Sequence, residues 1–319
     1  MPEQVIELSA RSTIRVSSTR VTVESSSVTR AITGLSLIIG ALALVAAGAG
    51  LFWTQGSAPA TFVTVRGETI DLYARGLYAF DSAFKGAGNR GTDLVTLALA
   101  LPLLLVSLVL FRRGRLRGRL LLTGTLFYFL YVYASVALST AYNDLFLVYI
   151  ALFSASLFAF ILAFAATDTQ ELAQRMSPAM PRRGPGIFML ASGLVTLVMW
   201  LTPLVGAVID GTPPGQLATS TVLVTDVLDL GFIVPALLLS GLLILRGQPL
   251  GYLIALSLLV LEVMLAPAIA AQTAFQVEAN VEFTTGAIVG PIAGFVVLAL
   301  VALWVLVTLL RNISETPRR

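Results

Sequence analysis

The chain of 319 residues contains no cysteine and no histidine. The first absence excludes disulfides, thiolate nucleophiles and cysteine metal sites. The second removes Ser-His-Asp chemistry, histidine zinc ligands and histidine proton relays. Charge is also scarce: 12% of residues are charged and lysine occurs once, at Lys85. Against this, 57% of residues are hydrophobic and the mean hydropathy is +0.91. Such values lie outside the range of soluble globular domains, so lipid is the solvent for this fold.

The apolar residues fall into eight long runs: Ala31 to Trp53, Leu94 to Phe111, Leu120 to Ala141, Leu145 to Ala166, Ile187 to Ile209, Thr221 to Leu245, Leu250 to Thr273 and Thr285 to Leu310. Each can cross a hydrocarbon core roughly 30 Å thick at about 1.5 Å per residue. Backbone groups in lipid must be satisfied within the segment, and the runs are continuously apolar rather than alternating, so each is a helix and not a barrel strand. The expected fold is all-α, an eight-helix transmembrane bundle with one extracytoplasmic loop carrying a short amphipathic helix.

All 20 basic residues lie outside these runs, and 16 of them fall on one side if there are eight spans. Only Arg66, Arg75, Lys85 and Arg90 fall on the other, all in the connection 54–93. The positive-inside rule then places both termini in the cytoplasm. The organisation expected is a flexible Ser/Thr-rich arm at 1–30, a membrane domain at 31–310 and a cytoplasmic tail at 311–319. A pI near 9.4 does not imply nucleic acid here; the arginines are topological signals, and anionic lipid headgroups are their natural neighbours.

The outer connection opens with a linker at Gly56 to Ala60 and a β-branched extended segment at Thr61 to Arg66. Ile70, Tyr73, Leu77, Phe80 and Phe84 then recur at helical steps, which predicts an amphipathic helix ended by Gly86-Ala87-Gly88-Asn89. Such a loop can simply pack on the helix ends or can act as a lid over a ligand site. No internal repeat is evident in the chain. Gly286, Gly290 and Gly294 form a stripe of small residues that permits close helix approach, within the chain or between two copies of it.

Three acids fall inside spans, at Asp226, Asp229 and Glu262, with no basic residue beside them. Even on lenient scales a charge at the bilayer centre costs about 2.5 to 3.5 kcal/mol, so these side chains must face the bundle interior, water or a partner. Counting from the arginine-poor ends puts them roughly 8, 12 and 16 Å deep. The reading is a single cavity in the outer half, lined by the three carboxyls with Thr225 one turn from Asp229. In the alternative, the acids are purely structural: protonated, hydrogen-bonded to neighbouring helices, or paired with Arg66, Arg75 or Arg90 folded inward. Tyr128, Tyr131, Ser135, Ser139 and Tyr142 make a hydroxyl stripe on the third span, running toward Asn143 and Asp144; it either lines a polar path or packs as aromatic surface. Pro235 and Pro267, with Gly231 beside Asp229, are the kinking residues near the acids.

Arg66-Gly67-Glu68-Thr69, Gly76-Leu77-Tyr78, Arg90-Gly91-Thr92-Asp93, the run Tyr142 to Tyr149 and Asp229-Leu230-Gly231-Phe232 resemble stretches of uncharacterised bacterial multi-pass membrane proteins. The resemblance implies a bacterial plasma membrane and carries no activity with it. From the residues, the leading expectation is a small-solute or cation/proton-coupled transporter or channel-like protein. The alternative is an accessory or sensor protein acting through its outer loop or a partner. An enzyme has the least support, since no phosphate-binding loop, metal-ligand motif or activated nucleophile is present, and no motif calls for a cofactor.

Overall fold

In the computed structural model, residues 4–214, 217–283 and 285–315 are described, the side chains of 4–25 and 285–291 excepted. Eight helical segments among them are long and apolar enough to cross a membrane. The first is α1 (Gln4–Phe52), whose part Ser26–Phe52 is long and apolar enough to span. The second is built from α2 (Ala83–Val95), a π-helical turn at Thr96–Ala100 and α3 (Leu101–Arg112). Helices α4 (Leu116–Ser139) and α5 (Phe146–Ala165) follow. After the short α6 (Thr169–Arg175) come α7 (Arg183–Asp210) and a sixth span made of α8 (Val224–Leu228), a π-helical turn at Asp229–Ile233 and α9 (Val234–Leu245). Helices α10 (Pro249–Glu278) and α11 (Thr285–Arg311) complete the bundle.

Helices α4 and α10 pack on each other at the centre, with 72% and 61% of their apolar stretches buried against 17% for α7. The approach is closest where Gly124 meets Val260 and the Leu256 carbonyl. On the arginine-rich face the chain end is tied back to the bundle. Arg117 donates to the Ile313 carbonyl, the Leu116 N–H donates to Glu315, and Glu171 bridges Arg119 and Arg175.

Helix α1 runs back to Gln4, through the residues read as an arm; a helix already formed in the span propagates at one hydrogen bond per residue with no new nucleation cost. Two expectations are revised. The second span starts at Ala83 and not Leu94, and Gly86 to Asn89 lie inside it instead of ending a helix. Those glycines are a packing face. A Cβ on Gly91 would lie 2.3 Å from the Gln272 nitrogen and one on Gly88 would lie 3.2 Å from the Gln276 amide, so α2 presses its backbone against α10. Finally, the amphipathic helix expected over Ile70 to Phe84 does not form.

In its place, strands β1 (Thr61–Val63) and β2 (Thr69–Asp71) make a two-stranded antiparallel hairpin with Phe62 opposite Ile70. The short extended segment read at Thr61 to Arg66 is thus part strand, part turn, closed by Gly67 at φ +83° and by Thr64 Oγ1, which accepts from the Arg66 and Glu68 N–H groups. Ala74 at φ 61° and Gly76 at φ 62° then break any helix, and a Cβ on Gly76 would strike the Trp53 carbonyl at 2.4 Å. Tyr73, Leu77 and Tyr78 turn inward and bury against Ala87, while Phe80 and Phe84 stay exposed. The helical spacing of these apolar residues is met by a turn because backbone fit at Gly76 outweighs local periodicity.

Contrary to expectation, the chain carries an internal repeat. From Thr92 to Leu120, 12 of 29 residues are identical to those 133 positions later, from Thr225 to Leu253. The pairs include Thr92/Thr225, Asp93/Asp226, Pro102/Pro235, Ser107/Ser240, Arg113/Arg246, Gly114/Gly247 and Gly118/Gly251. The geometry repeats with them. Each stretch has a π-helical turn ahead of its proline, at Thr96–Ala100 and Asp229–Ile233. Ser107 donates to the Leu104 carbonyl at 3.1 Å, and Ser240 to the Leu237 carbonyl at 2.9 Å. Gly114 and Gly247 turn at φ 72° and 71°, and Gly118 and Gly251 seat on the backbone at Leu110 and Leu243. Each half of the bundle holds four spans, an even number, so both copies stand the same way up about an axis along the membrane normal. Accordingly α2 packs on α10 of the second half, as α8 packs on α4 of the first.

Candidate functional site

Two groups of buried polar side chains lie toward the arginine-poor end of the bundle. The first is the one expected on the sixth span. Asp226 on α8 and Asp229 at the start of the π-helical turn are both buried, at 5% and 8% exposure. A π-helical turn adds a residue to the helix, and such turns recur at functional sites. Tyr131 of α4 donates its hydroxyl to Asp229 Oδ1 at 2.8 Å. Trp200 of α7 turns its indole toward Asp229, but its N–H closes no hydrogen bond. Asp226 Oδ2 is buried with no partner, and Thr225 stands half-buried beside it on α8. Among the described residues no cation is within ion-pair distance of either aspartate.

Glu262 is not brought into this pair. It lies 4% exposed on α10, faces Ser192 of α7 and leaves Oε2 without a partner. No three acidic side chains among the described residues converge closely enough to hold a metal ion. An open cleft at the end of α7, between Pro203, Asp210 and Pro214, contains none of the three acids.

The loop arginines are engaged elsewhere. Arg66 binds Glu68 and donates at 2.8 Å to the Ala218 carbonyl, joining the hairpin to the α7–α8 connection. Arg75 pairs with Glu278 at 3.6 Å and covers the Tyr73 ring. Arg90 donates to the Tyr73 hydroxyl and the Leu51 carbonyl and stacks on Phe275. None of them forms an ion pair with Asp226, Asp229 or Glu262. Tyr142 is 78% exposed against Phe146, and Asn143 Oδ1 accepts from the Leu145 N–H, both at the α4–α5 turn, with Asn143 beside Tyr149. A Cβ on Gly294 would meet open space, and the side-chain positions of Gly286 and Gly290 lie outside those described.

The second group went unnoticed in the sequence. Asp93, on α2 and 8% exposed, accepts from the Tyr78 hydroxyl at 2.7 Å. Tyr128 and Tyr133 of α4 and Tyr149 of α5 lie within electrostatic range of the same carboxyl. Gly50 of α1 closes the remaining side: a Cβ there would fall on Asp93 Oδ2 and come within 2.8 Å of the Tyr78 hydroxyl. The loop seals this pocket. Asp81 accepts from the Ala141 N–H at 2.9 Å and pairs with Lys85 at 3.6 Å. Burial pushes the Asp81 carboxyl up, although Lys85 and that N–H pull the other way. Burial and the nearby Asp93 charge push the Tyr78 phenol well above its ordinary range, so it stays a donor.

The hydroxyl stripe of α4 therefore divides, Tyr128 toward Asp93 and Tyr131 toward Asp229. The signal that could have placed Asp93 inside the membrane is the Thr-Asp pair at 92 and 93, which returns at 225 and 226. The chain is a multi-pass membrane protein by its eight apolar helices, and comparison with known proteins yields no matching family, no matching curated protein and no matching solved structure.

Proposed function

We propose that the protein is a bacterial inner-membrane carrier or channel-like protein that handles a proton or a small cation through Asp226 and Asp229. One observation carries the reading: Asp226 Oδ2 is buried without a partner, one turn from a second carboxyl, with no cation among the described residues paired to either. Two carboxylates so placed in a poorly solvated site resist simultaneous ionisation, and a proton or a bound cation relieves them. Tyr131 orients Asp229, and Glu262 supplies a further carboxyl deeper in the bundle. The arginine distribution turns the site outward, with both termini in the cytoplasm.

The test is flux in reconstituted vesicles. A pH-sensitive dye inside and an imposed potential report proton movement, and sodium and potassium gradients report the cations. The parent is expected to conduct one of these, and the variant carrying Asp226→Asn, Asp229→Asn and Glu262→Gln is expected to lose it. No flux in the parent, or equal flux in the variant, refutes the reading. A second reading, a sensor or accessory protein acting through its outer loop, is favoured by the exposed apolar side chains Phe62, Val63 and Val65 on the hairpin. It predicts a co-purifying partner that is lost when those three become serine.

A further inference from the structure

Because the second and sixth spans repeat, Asp93 and Asp226 are the same position seen twice: next to a threonine, nine residues ahead of a proline, and one turn before a π-helical turn in the first half as in the second. Their surroundings differ. The positions of Tyr128 and Tyr133 are occupied in the second half by Leu261 and Ala266. The connection ahead of the sixth span runs only from Gly211 to Leu223, whereas the one ahead of the second span carries the hairpin and Tyr78. The second half leaves Oδ2 of its acid without a partner, and the first encloses its acid among phenols.

We infer that Asp93 is a second carboxyl site, equivalent to Asp226, that binds and releases a proton beneath the outer loop. Several observations support this. The Tyr128 and Tyr149 hydroxyls are each 2% exposed as residues, lie near the carboxyl and close no hydrogen bond. A carboxylate only accepts, whereas a carboxylic acid also donates, so protonation of Asp93 adds one donor that a neighbouring phenol oxygen can accept while Tyr78 still donates to Oδ2. On the α1 side Gly50 lies directly against Oδ2, where even a methyl group would strike it, so no ion fits between them. The groups facing Asp93 are Tyr78 from the loop, Arg90 on its own helix, Tyr128 and Tyr133 from α4 and Tyr149 from α5. Asp81 acts on Tyr149 from further out, and from α10 the neutral Gln272 holds Thr92. Arg90 is committed to Tyr73 and the Leu51 carbonyl and makes no ion pair with Asp93.

The inference rests on the repeat and not on flux, so it can stand or fall separately from the proposed transport. The experiment is infrared difference spectroscopy of the intact protein in lipid vesicles, comparing acid with alkaline buffer. The carbonyl stretch of a protonated carboxyl should be lost in Asp93→Asn, retained in Asp226→Asn and shifted in Tyr78→Phe. A spectrum unchanged by Asp93→Asn at every pH overturns the site. Loss of the same band in Asp226→Asn instead assigns it to the second half and also overturns it. Should Asp93→Asn fail to fold, Tyr78→Phe decides alone, because it keeps the ring and removes only the phenol bonded to Oδ2. An unshifted band then refutes the assignment.

Discussion

Gly50→Ala is the sharpest perturbation the structure offers. The added methyl would land on Asp93 Oδ2, 2.7 Å from Cγ and 2.8 Å from the Tyr78 hydroxyl. The carboxyl has little room to swing aside, because Tyr128, Tyr133 and Tyr149 stand around it. Overpacking costs about 1 to 3 kcal/mol, and loss of a buried hydrogen bond to a charged group about 1.5 to 3 kcal/mol. Replacing glycine in a helix returns about 1 kcal/mol, leaving a net loss of about 1.5 to 5 kcal/mol. Gly48→Ala is the control on the same helix, since nothing lies within 4 Å of a Cβ there. Unfolding in mixed micelles, followed by circular dichroism along a denaturing-detergent titration, measures both variants. Gly48→Ala should match or exceed the parent, and Gly50→Ala should unfold much earlier. Adding Asp93→Ala to Gly50→Ala should recover part of the loss by vacating the space. Equal stability of the two single variants would refute the packing of α1 against the Asp93 pocket.

Gly91→Ala should be more damaging still, because its methyl meets the Gln272 backbone at 2.3 Å and no flexible side chain can yield; failure to separate α2 from α10 would appear as a parent-like unfolding midpoint. Gly114→Ala and Gly247→Ala should each cost about 1 to 2 kcal/mol through left-handed backbone strain, with the larger loss at Gly247 where the Arg182 guanidinium is also displaced. Asp81 gives a pH dependence. Its folded carboxyl is raised by burial, so the folded protein binds that proton more tightly than the unfolded chain. The stability it adds is full below the unfolded carboxyl range and is lost as pH rises through the folded value. Asp81→Asn keeps an acceptor for the Ala141 N–H and should flatten this slope in melting temperature against pH; an unaltered slope contradicts it.

Much of the fold was legible because lipid imposes a one-dimensional rule: backbone polar groups must be satisfied locally, so apolar length and arginine placement define the spans. Asp226 and Asp229 were legible for the same reason, since a charge inside an apolar run stands out. Asp93 was not, because Lys85, Arg90 and three glycines gave its surroundings the composition of a loop. Gly88 and Gly91 pack on α10, more than 170 residues away in the chain, and Gly86 packs on Tyr73 of the loop. The loop failed for a related reason: Tyr73, Leu77 and Tyr78 follow helical spacing, yet the fit of Gly76 against the Trp53 carbonyl sets a turn there.

The sequence by itself determined the eight spans, because hydropathy acts residue by residue within one segment. The repeat was written in it too, as Thr-Asp, Pro, Ser, Arg-Gly and Gly at one constant separation, but leucine-rich helices mask such a pattern until the turns are seen to superimpose. Only the tertiary structure decided which polar groups meet. It divided the α4 tyrosines between two acids, turned Glu262 toward Ser192, committed the loop arginines to other partners and sealed Asp93 beneath Tyr78. Those pairings depend on helix rotation and on approach at single glycines, and both arise from contacts between segments far apart in the chain.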